Sequence, residues 1–329
     1  MHCPRIDHFV RFNEDGTVSC CGHMKNGQRF DSLEAMHSSN WVTKIKTQLE
    51  NDQWPDECVR CEQVEKVGEH SIRMYAVSRH ASRTRDDYLQ VGGVLDNVCN
   101  LACQMCSPSL SSKLASLNKV AVKVNNLDRF FSLPQDRITH LDINGGEPSY
   151  SKNYQKLLHA LPPNLTHLRV NTNCMEPMLV LENVLNNGID VTVTVSFDGT
   201  EKVHNYVRYP SNWENFVRNI DYYRRLPLNL NLWSTVSSLN IIDFPNMMEF
   251  ARERGLSHSW ALLHSPMALS PEYKNSFTLR AKEVLPSSVA SLVAVKEDNQ
   301  SILDTYIKQQ DKIRKINIAD YIDYLPGKK

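Results

Sequence analysis

The chain has 329 residues, of which 41% are hydrophobic, and its 37 Lys and Arg residues balance 37 Asp and Glu residues. This length suits one large α/β domain with a small second one. The formal net charge of zero excludes a protein whose whole surface attracts polyanions. No apolar run reaches the roughly 20 residues that span a bilayer and no secretory leader is visible, so we expect a cytoplasmic protein with no membrane partner. Thiols stay reduced there, so the nine cysteines indicate metal ligation rather than disulfides.

Residues 1–70 predict a small module made of a hairpin and a helix. Phe9–Phe12, a turn at Asn13–Gly16 and the following Thr17–Cys21 are typical of a β-hairpin. A helix with an N-cap candidate is predicted over residues 31–50, before Trp54 and Pro55 end it.

Five of the nine cysteines lie in this module, on three separated segments, as a folded metal site requires. They are Cys3, Cys20, Cys21, Cys58 and Cys61. Because neighbours on a strand point to opposite faces, we expect only one of Cys20 and Cys21 to be a ligand.

Residues 71–88 predict a polar, basic connector that includes Arg83 and Arg85. A solvated helix or linker is the favoured interpretation of such a charge run. A clamp for a phosphate or carboxylate of the substrate is the alternative.

Strands and helices alternate over residues 89–270, which predicts βα units and a parallel sheet. The predicted strands are 89–98, 139–143, 166–171, 190–197, 228–236 and 257–263. The predicted helices between them are 153–161, 176–187, 212–225 and 244–254. We expect an amphipathic helical extension over residues 271–329 to pack on this domain.

Cys99, Cys103 and Cys106 form a CxxxCxxC loop after the first of these strands. Three thiolates can hold three irons of a cubic four-iron cluster, and the fourth iron is left without a protein ligand. An open iron predicts a bound small molecule. Ligands of parallel α/β folds bind at the carboxyl ends of the strands. We therefore expect the loops after the other strands to carry further binding residues.

Two of those loops carry further motifs. Asn144-Gly145-Gly146-Glu147-Pro148 follows the second strand, and Ser196-Phe197-Asp198-Gly199 ends the fourth. With the cysteine loop, they resemble the signature of the radical S-adenosylmethionine (SAM) superfamily. The resemblance implies a partial (β/α)6 barrel, a [4Fe-4S] cluster whose open iron binds SAM, and cleavage of SAM to a 5′-deoxyadenosyl radical. It also implies a small electron donor such as flavodoxin or ferredoxin as a partner.

The same resemblance implies cofactor-binding roles for ten residues. They are Met105, Gly145, Gly146, Glu147, Pro148, Asn173, Ser196, Asp198, Arg208 and Val236. Among them, Ser196 would bond the ribose of SAM and Arg208 would pair with its carboxylate, which suits a planar guanidinium. For Asp198 and His204, helix capping and local hydrogen bonding are an equal alternative to a substrate role.

Residues 1–70 resemble the Twitch and SPASM auxiliary-cluster domains of radical SAM enzymes, here placed N-terminally. The resemblance implies a second [4Fe-4S] cluster on Cys3, Cys21, Cys58 and Cys61. The family's GxxxxC count from Gly16 selects Cys21, with Cys20 as the alternate ligand. Four thiolates also suit a closed zinc site, which is the alternative.

The leading hypothesis is a radical SAM enzyme that abstracts hydrogen from a C–H bond of a peptide or small molecule, with the auxiliary cluster assisting electron transfer or substrate binding. Modification or isomerisation of a nucleotide or nucleic-acid base is the second hypothesis, which the neutral charge does not favour. A non-catalytic iron-sulfur or zinc scaffold is the third, and the intact SAM-binding motifs argue against it.

Two residues at strand ends have alternative roles. Cys174 follows the third strand, and its thiol is a small apolar filler, a ligand, or a hydrogen-atom donor to a substrate radical. His264 follows the sixth strand and either faces the substrate or completes the barrel.

Overall fold

The computed structural model describes residues 1–80, 88–237, 239–262 and 300–322. In those ranges every helix is too short or too polar to cross a membrane. The chain forms two compact units. Unit 1 comprises Met1–Asn97, Lys123–Val170 and Val180–Val191, and unit 2 comprises Val98–Val122, Asn171–Leu179 and Thr192–Lys329.

The described residues contain eight strands and thirteen α-helices. The strands are β1 Phe9–Phe12, β2 Val18–Ser19, β3 Leu89–Val94, β4 Ile138–Asn144, β5 His167–Thr172, β6 Asp190–Ser196, β7 Asn229–Val236 and β8 Ser257–Leu262. The helices are α1 Arg5–His8, α2 Leu33–His37, α3 Asn40–Glu50, α4 Val59–Lys66, α5 Ile72–His80, α6 Ser112–Leu117, α7 Leu127–Phe131, α8 Lys152–His159, α9 Val180–Asn186, α10 Glu201–Val207, α11 Trp213–Tyr223, α12 Phe244–Glu253 and α13 Gln300–Arg314.

The sequence predicts the α/β class correctly. β3 to β8 are the six predicted strands of the second domain, the count expected of a partial (β/α)6 barrel, and the pairings described among them are parallel. The largest shift in a strand boundary is in β3, which ends at Val94 instead of residue 98. The amides of Leu95 and Asp96 donate to the Tyr154 hydroxyl (3.2 and 3.0 Å) rather than continuing the strand.

The N-terminal hairpin belongs to the sheet of unit 1, whose order is β2-β1-β3-β4-β5. β1 and β2 are antiparallel, as predicted, but β1 also pairs in parallel with β3, with Phe9 opposite Gln90. Three of the four β1 side chains are buried. The first segment of compact unit 1 extends to Asn97, and the division of residues 1–97 into a module and a connector stays a prediction.

The helix predicted over residues 31–50 is two helices. Ser32 begins α2 by accepting a hydrogen bond from the Ala35 amide (3.0 Å), and Ser39 begins α3 by accepting one from the Val42 amide (3.2 Å). A second N-cap serine therefore interrupts what the periodicity presents as one helix.

Unit 2 pairs β6, β7 and β8 in parallel. Its core contains an aromatic cluster made of Phe197, Trp213, Phe216 and Phe250. The predicted helix 176–187 begins only at Val180 and ends at Asn186.

Several predictions fall partly or wholly outside the described residues. They concern Arg83 and Arg85 of the connector, His264, and residues 271–299 and 323–329 of the C-terminal extension. Within the connector, α5 confirms a helix at residues 72–80.

Candidate functional site

The CxxxCxxC loop lies in unit 2 and is fixed by hydrogen bonds along its backbone. The amides of Ala102 and Gln104 donate to the carbonyls of Tyr209 (2.5 Å) and Val207 (2.7 Å). The Ser111 hydroxyl donates to the Leu101 carbonyl at 2.6 Å. The polypeptide of the loop is therefore held in place by hydrogen bonds to other residues of unit 2.

Its three thiols differ in exposure and share one electrostatic environment. Cys103 is buried, whereas Cys99 and Cys106 are half-buried. Burial raises the pKa of Cys103, and burial together with the nearby Cys103 raises the pKa of Cys106 to about 12. Because the thiolate is the form that ligates a metal, binding at this loop must displace protons.

Arg208 supplies a buried positive charge beside these thiols. Burial disfavours its charged form, but Cys103 and the Asp198 carboxylate raise the pKa of Arg208 above its ordinary value. The guanidinium Nη1 donates to Asp198 Oδ2 in a buried ion pair. Asp198 Oδ1 accepts from the Thr235 amide at 2.7 Å, so the carboxylate that orients Arg208 is itself anchored.

The residues after β5 make two different sets of contacts. The Asn173 amide nitrogen donates to Asn100 Oδ1 at 2.8 Å and lies 4.0 Å from Cys99 Sγ, so Asn173 contacts the cysteine loop. Cys174 is fully buried, and its Sγ lies 3.9 Å from the Phe216 carbonyl on α11. This contact favours the packing role among the three roles considered for Cys174.

His204 belongs to the aromatic core of unit 2. Its ring is fully buried and packs against Phe216 at a centroid distance of 4.4 Å and against Trp213 at 5.5 Å. Burial and the nearby Arg208 lower its pKa well below the ordinary value. The packing of the ring against Phe216 and Trp213 supports a structural role for His204.

Three other predicted cofactor residues of unit 2 lie at the expected loop or strand ends. Met105 is half-buried next to Cys106 in the loop. Ser196 ends β6 half-buried, and Val236 ends β7 buried.

The Gly145–Pro148 segment follows β4 in unit 1. Gly145 has φ +74°, and a Cβ at this position would lie 2.6 Å from a methyl group of Val94, so the turn requires glycine. Glu147 is buried and accepts from the amide and the hydroxyl of Ser149 (3.1 and 2.7 Å). Its carboxylate thus stabilises the turn itself.

Four cysteines line one cavity in unit 1. Cys3, Cys21, Cys58 and Cys61 are joined there by apolar side chains such as Trp54 and Ile72. Cys20 is fully buried and is not among the lining residues, which supports the choice of Cys21. These four cysteines come from three separated chain segments.

Burial affects thiols of the cavity, and one cation lies beside them. Burial raises the pKa of Cys3 and of Cys58 to about 12. The Arg73 guanidinium lines the same cavity and pairs with Glu65, with Nε donating to Oε1 at 2.9 Å. A thiolate-bound metal here would lie near a half-buried arginine that Glu65 already pairs with.

The side chains at the cysteine loop and at the cavity are chemically suited to bind metal clusters. In the described part of the chain, no three His, Cys, Asp or Glu side chains are placed to hold a single metal ion. The case for a metal cluster at each site therefore depends on the cysteine thiols as donors and on the residues around them. Near the loop thiols, the side-chain amide of Gln104 and the Nε of Arg208 are buried without a hydrogen-bond partner among the described residues, which leaves polar atoms for a bound cofactor to satisfy. The cavity offers four thiols, which are the donors of a closed iron-sulfur cluster.

The sequence does not predict the contacts of α13 with the loop. Arg314 is buried and donates from Nε to the Ala102 carbonyl (2.9 Å) and from Nη2 to the Cys103 carbonyl (3.2 Å). The Tyr306 hydroxyl donates to the Gln104 carbonyl. The amphipathic pattern of the tail indicates packing, but it does not distinguish these two residues from their polar neighbours.

Comparison with known proteins gives one family match. Residues 95–251 match the family model described as the Radical SAM superfamily. No curated protein matches the chain.

Similar solved structures include Streptococcus suis SuiB. SuiB bound to S-adenosylmethionine is 14% identical over 87% of this chain and 69% of that one, with a TM-score of 0.46. SuiB bound to the precursor peptide SuiA is 12% identical over 95% and 70% of the two chains, with a TM-score of 0.43.

Proposed function

We propose that Cys99, Cys103 and Cys106 hold the [4Fe-4S] cluster of a radical SAM enzyme and that its substrate is a peptide or small molecule. The proposal is supported by the match of residues 95–251 to the Radical SAM superfamily. When bound and reduced, this cofactor pair supplies a 5′-deoxyadenosyl radical that abstracts a hydrogen atom from a C–H bond.

The observation that carries this proposal is the surroundings of the three thiols. They lie in one backbone-fixed loop, and Arg208 acts electrostatically on all three. Because Asp198 fixes one end of the guanidinium, the unpartnered Nε of Arg208 is available to an anionic group such as the SAM carboxylate. Gln104 offers both an amide donor and an acceptor from the same loop.

The other predicted cofactor residues complete the proposal. Asn173, through its contact with Asn100, fixes the start of the loop. Met105, Ser196, Val236 and the Gly145–Pro148 segment are proposed to contact SAM on the family resemblance.

We further propose that Cys3, Cys21, Cys58 and Cys61 hold a second [4Fe-4S] cluster. All four line one cavity, so the site would be closed and have no position for a substrate. Its roles would be to accept or pass one electron and to shape the substrate pocket, with a small flavodoxin- or ferredoxin-like protein as the external donor. The two arginines considered for a nucleotide substrate, Arg83 and Arg85, lie outside the described residues.

The test is anaerobic reconstitution with iron and sulfide, followed by incubation with SAM and a strong reductant. We expect 5′-deoxyadenosine and methionine from the wild-type enzyme. Deuterated peptide pools and deuterated metabolite pools are then compared for transfer of deuterium into 5′-deoxyadenosine. A fully reconstituted cluster that yields no 5′-deoxyadenosine would contradict the proposal, and transfer from nucleotides alone would contradict the substrate class.

A further inference from the structure

α13 contacts the cysteine loop through side chains that bind its backbone. Arg314 bridges two consecutive carbonyls, those of Ala102 and Cys103, at 2.9 and 3.2 Å. Tyr306, two turns earlier on α13, donates to the carbonyl of Gln104. Three consecutive carbonyls of the loop are thus bound by one helix.

The opposite side of the same segment is bound by the end of α10. The amides of Ala102 and Gln104 donate to the carbonyls of Tyr209 and Val207. The Tyr209 hydroxyl in turn donates to the Arg314 carbonyl at 3.2 Å. Residues 102–104 therefore lie between two elements that are also bonded to each other, and the ligand Cys103 is at the centre.

The charge of Arg314 is not neutralised by a carboxylate in the described part of the chain. Its hydrogen bonds go to the carbonyls of Ala102, Cys103 and Gln310 and to the side-chain oxygen of Gln310. Asp311, which is close by, instead accepts from the Tyr206 hydroxyl (2.8 Å) and from the Ile318 amide (2.8 Å). Arg314 is 3% exposed, and a buried charge without a counter-ion is costly. An anionic thiolate-bound cluster in the loop would supply the missing negative charge.

We propose that Arg314 is a positioning residue of the radical SAM cluster, which fixes the carbonyls on both sides of the Cys103 side chain and stabilises the more negative, reduced cluster with its charge. This proposal rests on the proposed cluster at Cys99, Cys103 and Cys106. α13 carries no cysteine, but under this proposal it affects the transfer of the electron from the reduced cluster to SAM.

Three full-length variants test it. Arg314→Met removes the charge and the hydrogen bonds, whereas Arg314→Lys keeps the charge and loses the planar fork. Lys312→Met removes the same charge from an exposed position in the same turn of α13 and is the matched control.

For the reconstituted enzyme we expect Arg314→Met to shift the midpoint potential of the loop cluster to a more negative value and to alter its electron paramagnetic resonance spectrum. SAM cleavage should fall about tenfold or more, because hydrogen bonds from a charged donor are lost. Arg314→Lys should recover most of the potential and only part of the rate. Lys312→Met should match the wild type.

A measurement on the metal-free protein separates this proposal from the proposed function. Hydrogen–deuterium exchange of residues 99–106 should be faster in Arg314→Met than in the wild type, whatever the cluster does. Wild-type potential, spectrum and loop exchange in Arg314→Met would overturn the positioning role. If Arg314→Met does not fold, the test depends on Arg314→Lys. Wild-type hydrogen–deuterium exchange of the loop and an unchanged rate of SAM cleavage in Arg314→Lys would also overturn the positioning role. Absence of SAM cleavage by the wild type would instead refute the proposed function.

Discussion

The two groups of cysteines are assembled in opposite ways. Cys99, Cys103 and Cys106 come from one short loop of unit 2, whose backbone is bound by α10 and α13. The four thiols of unit 1 come from three separated segments and line a cavity among apolar side chains. The first group has three thiols and unpartnered polar atoms nearby, whereas the second has four thiols and one paired arginine.

This difference separates an open site from a closed one. Three thiols leave one iron of a cubane for an exogenous ligand, whereas four thiols leave none. Cleavage of SAM should therefore depend on the loop, and the cavity should affect only the later steps on the substrate. Substitutions at four positions test that separation and the scaffold around it, in order of decreasing effect.

Cys103→Ala should abolish SAM cleavage, because it removes the buried ligand at the centre of the loop. We also expect reconstituted iron to fall from about eight to about four per chain, as one of two cubanes is lost. The measurements are 5′-deoxyadenosine by chromatography and iron by elemental analysis. Retained cleavage by a protein with no loop cluster would refute the open-site assignment.

Cys21→Ala should lose the metal of the cavity and keep SAM cleavage, with product formation from the substrate impaired. Cys20→Ala is its control, since Cys20 is the neighbouring cysteine, is fully buried and does not line the cavity. Iron and zinc should be measured together. Four irons with one zinc in the wild type would establish the zinc alternative, and loss of the metal in Cys20→Ala alone would show that the wrong member of the pair was chosen.

Tyr154→Phe should lower the free energy of unfolding by about 1–3 kcal/mol, the cost of leaving buried hydrogen-bonding groups unsatisfied. The Tyr154 hydroxyl accepts from the amides of Leu95 and Asp96 and donates to the Asn144 carbonyl at 2.9 Å, so it orders the chain before both SAM-binding motifs. Denaturant unfolding of the metal-free protein measures the effect. Tyr150→Phe, at an exposed tyrosine, is the control, and equal stability of the two variants would contradict the prediction.

Cys174→Ala should have the smallest effect. We expect wild-type product and a loss of about 1 kcal/mol in the free energy of unfolding, the ordinary cost of one core substitution. The native enzyme should incorporate no solvent deuterium into the product. Retained SAM cleavage with a stalled or altered product in Cys174→Ala would restore the hydrogen-donor role.

The sequence predicts local features best. The hairpin at Phe9–Phe12, the strands of the second domain and the cysteine loop all depend on patterns within a few residues, and the structure places them close to the expected bounds. The prediction of one continuous helix over residues 31–50 is wrong for a local reason as well. Ser39 does not disturb the hydrophobic periodicity, but in the structure it is the N-cap of a second helix.

Contacts between distant segments are not predictable in this way. The pairing of β1 with β3, the Asp198–Arg208 ion pair and the bonds from Arg314 each depend on residues that only the folded chain brings together. Arg208 illustrates the limit: its motif indicates an anion partner, and the structure shows that Asp198 already occupies one side of the guanidinium.

The short strand β2 has a consequence for how this chain behaves among its own copies. At the outer edge of the unit 1 sheet it offers only two residues, and the amide and carbonyl of Val18 are both bonded to Gln28 (2.7 and 2.9 Å). A free strand edge is a template for pairing with another chain, and a two-residue edge with its outward groups occupied is a poor one. Such an edge disfavours edge-to-edge pairing between copies of this chain.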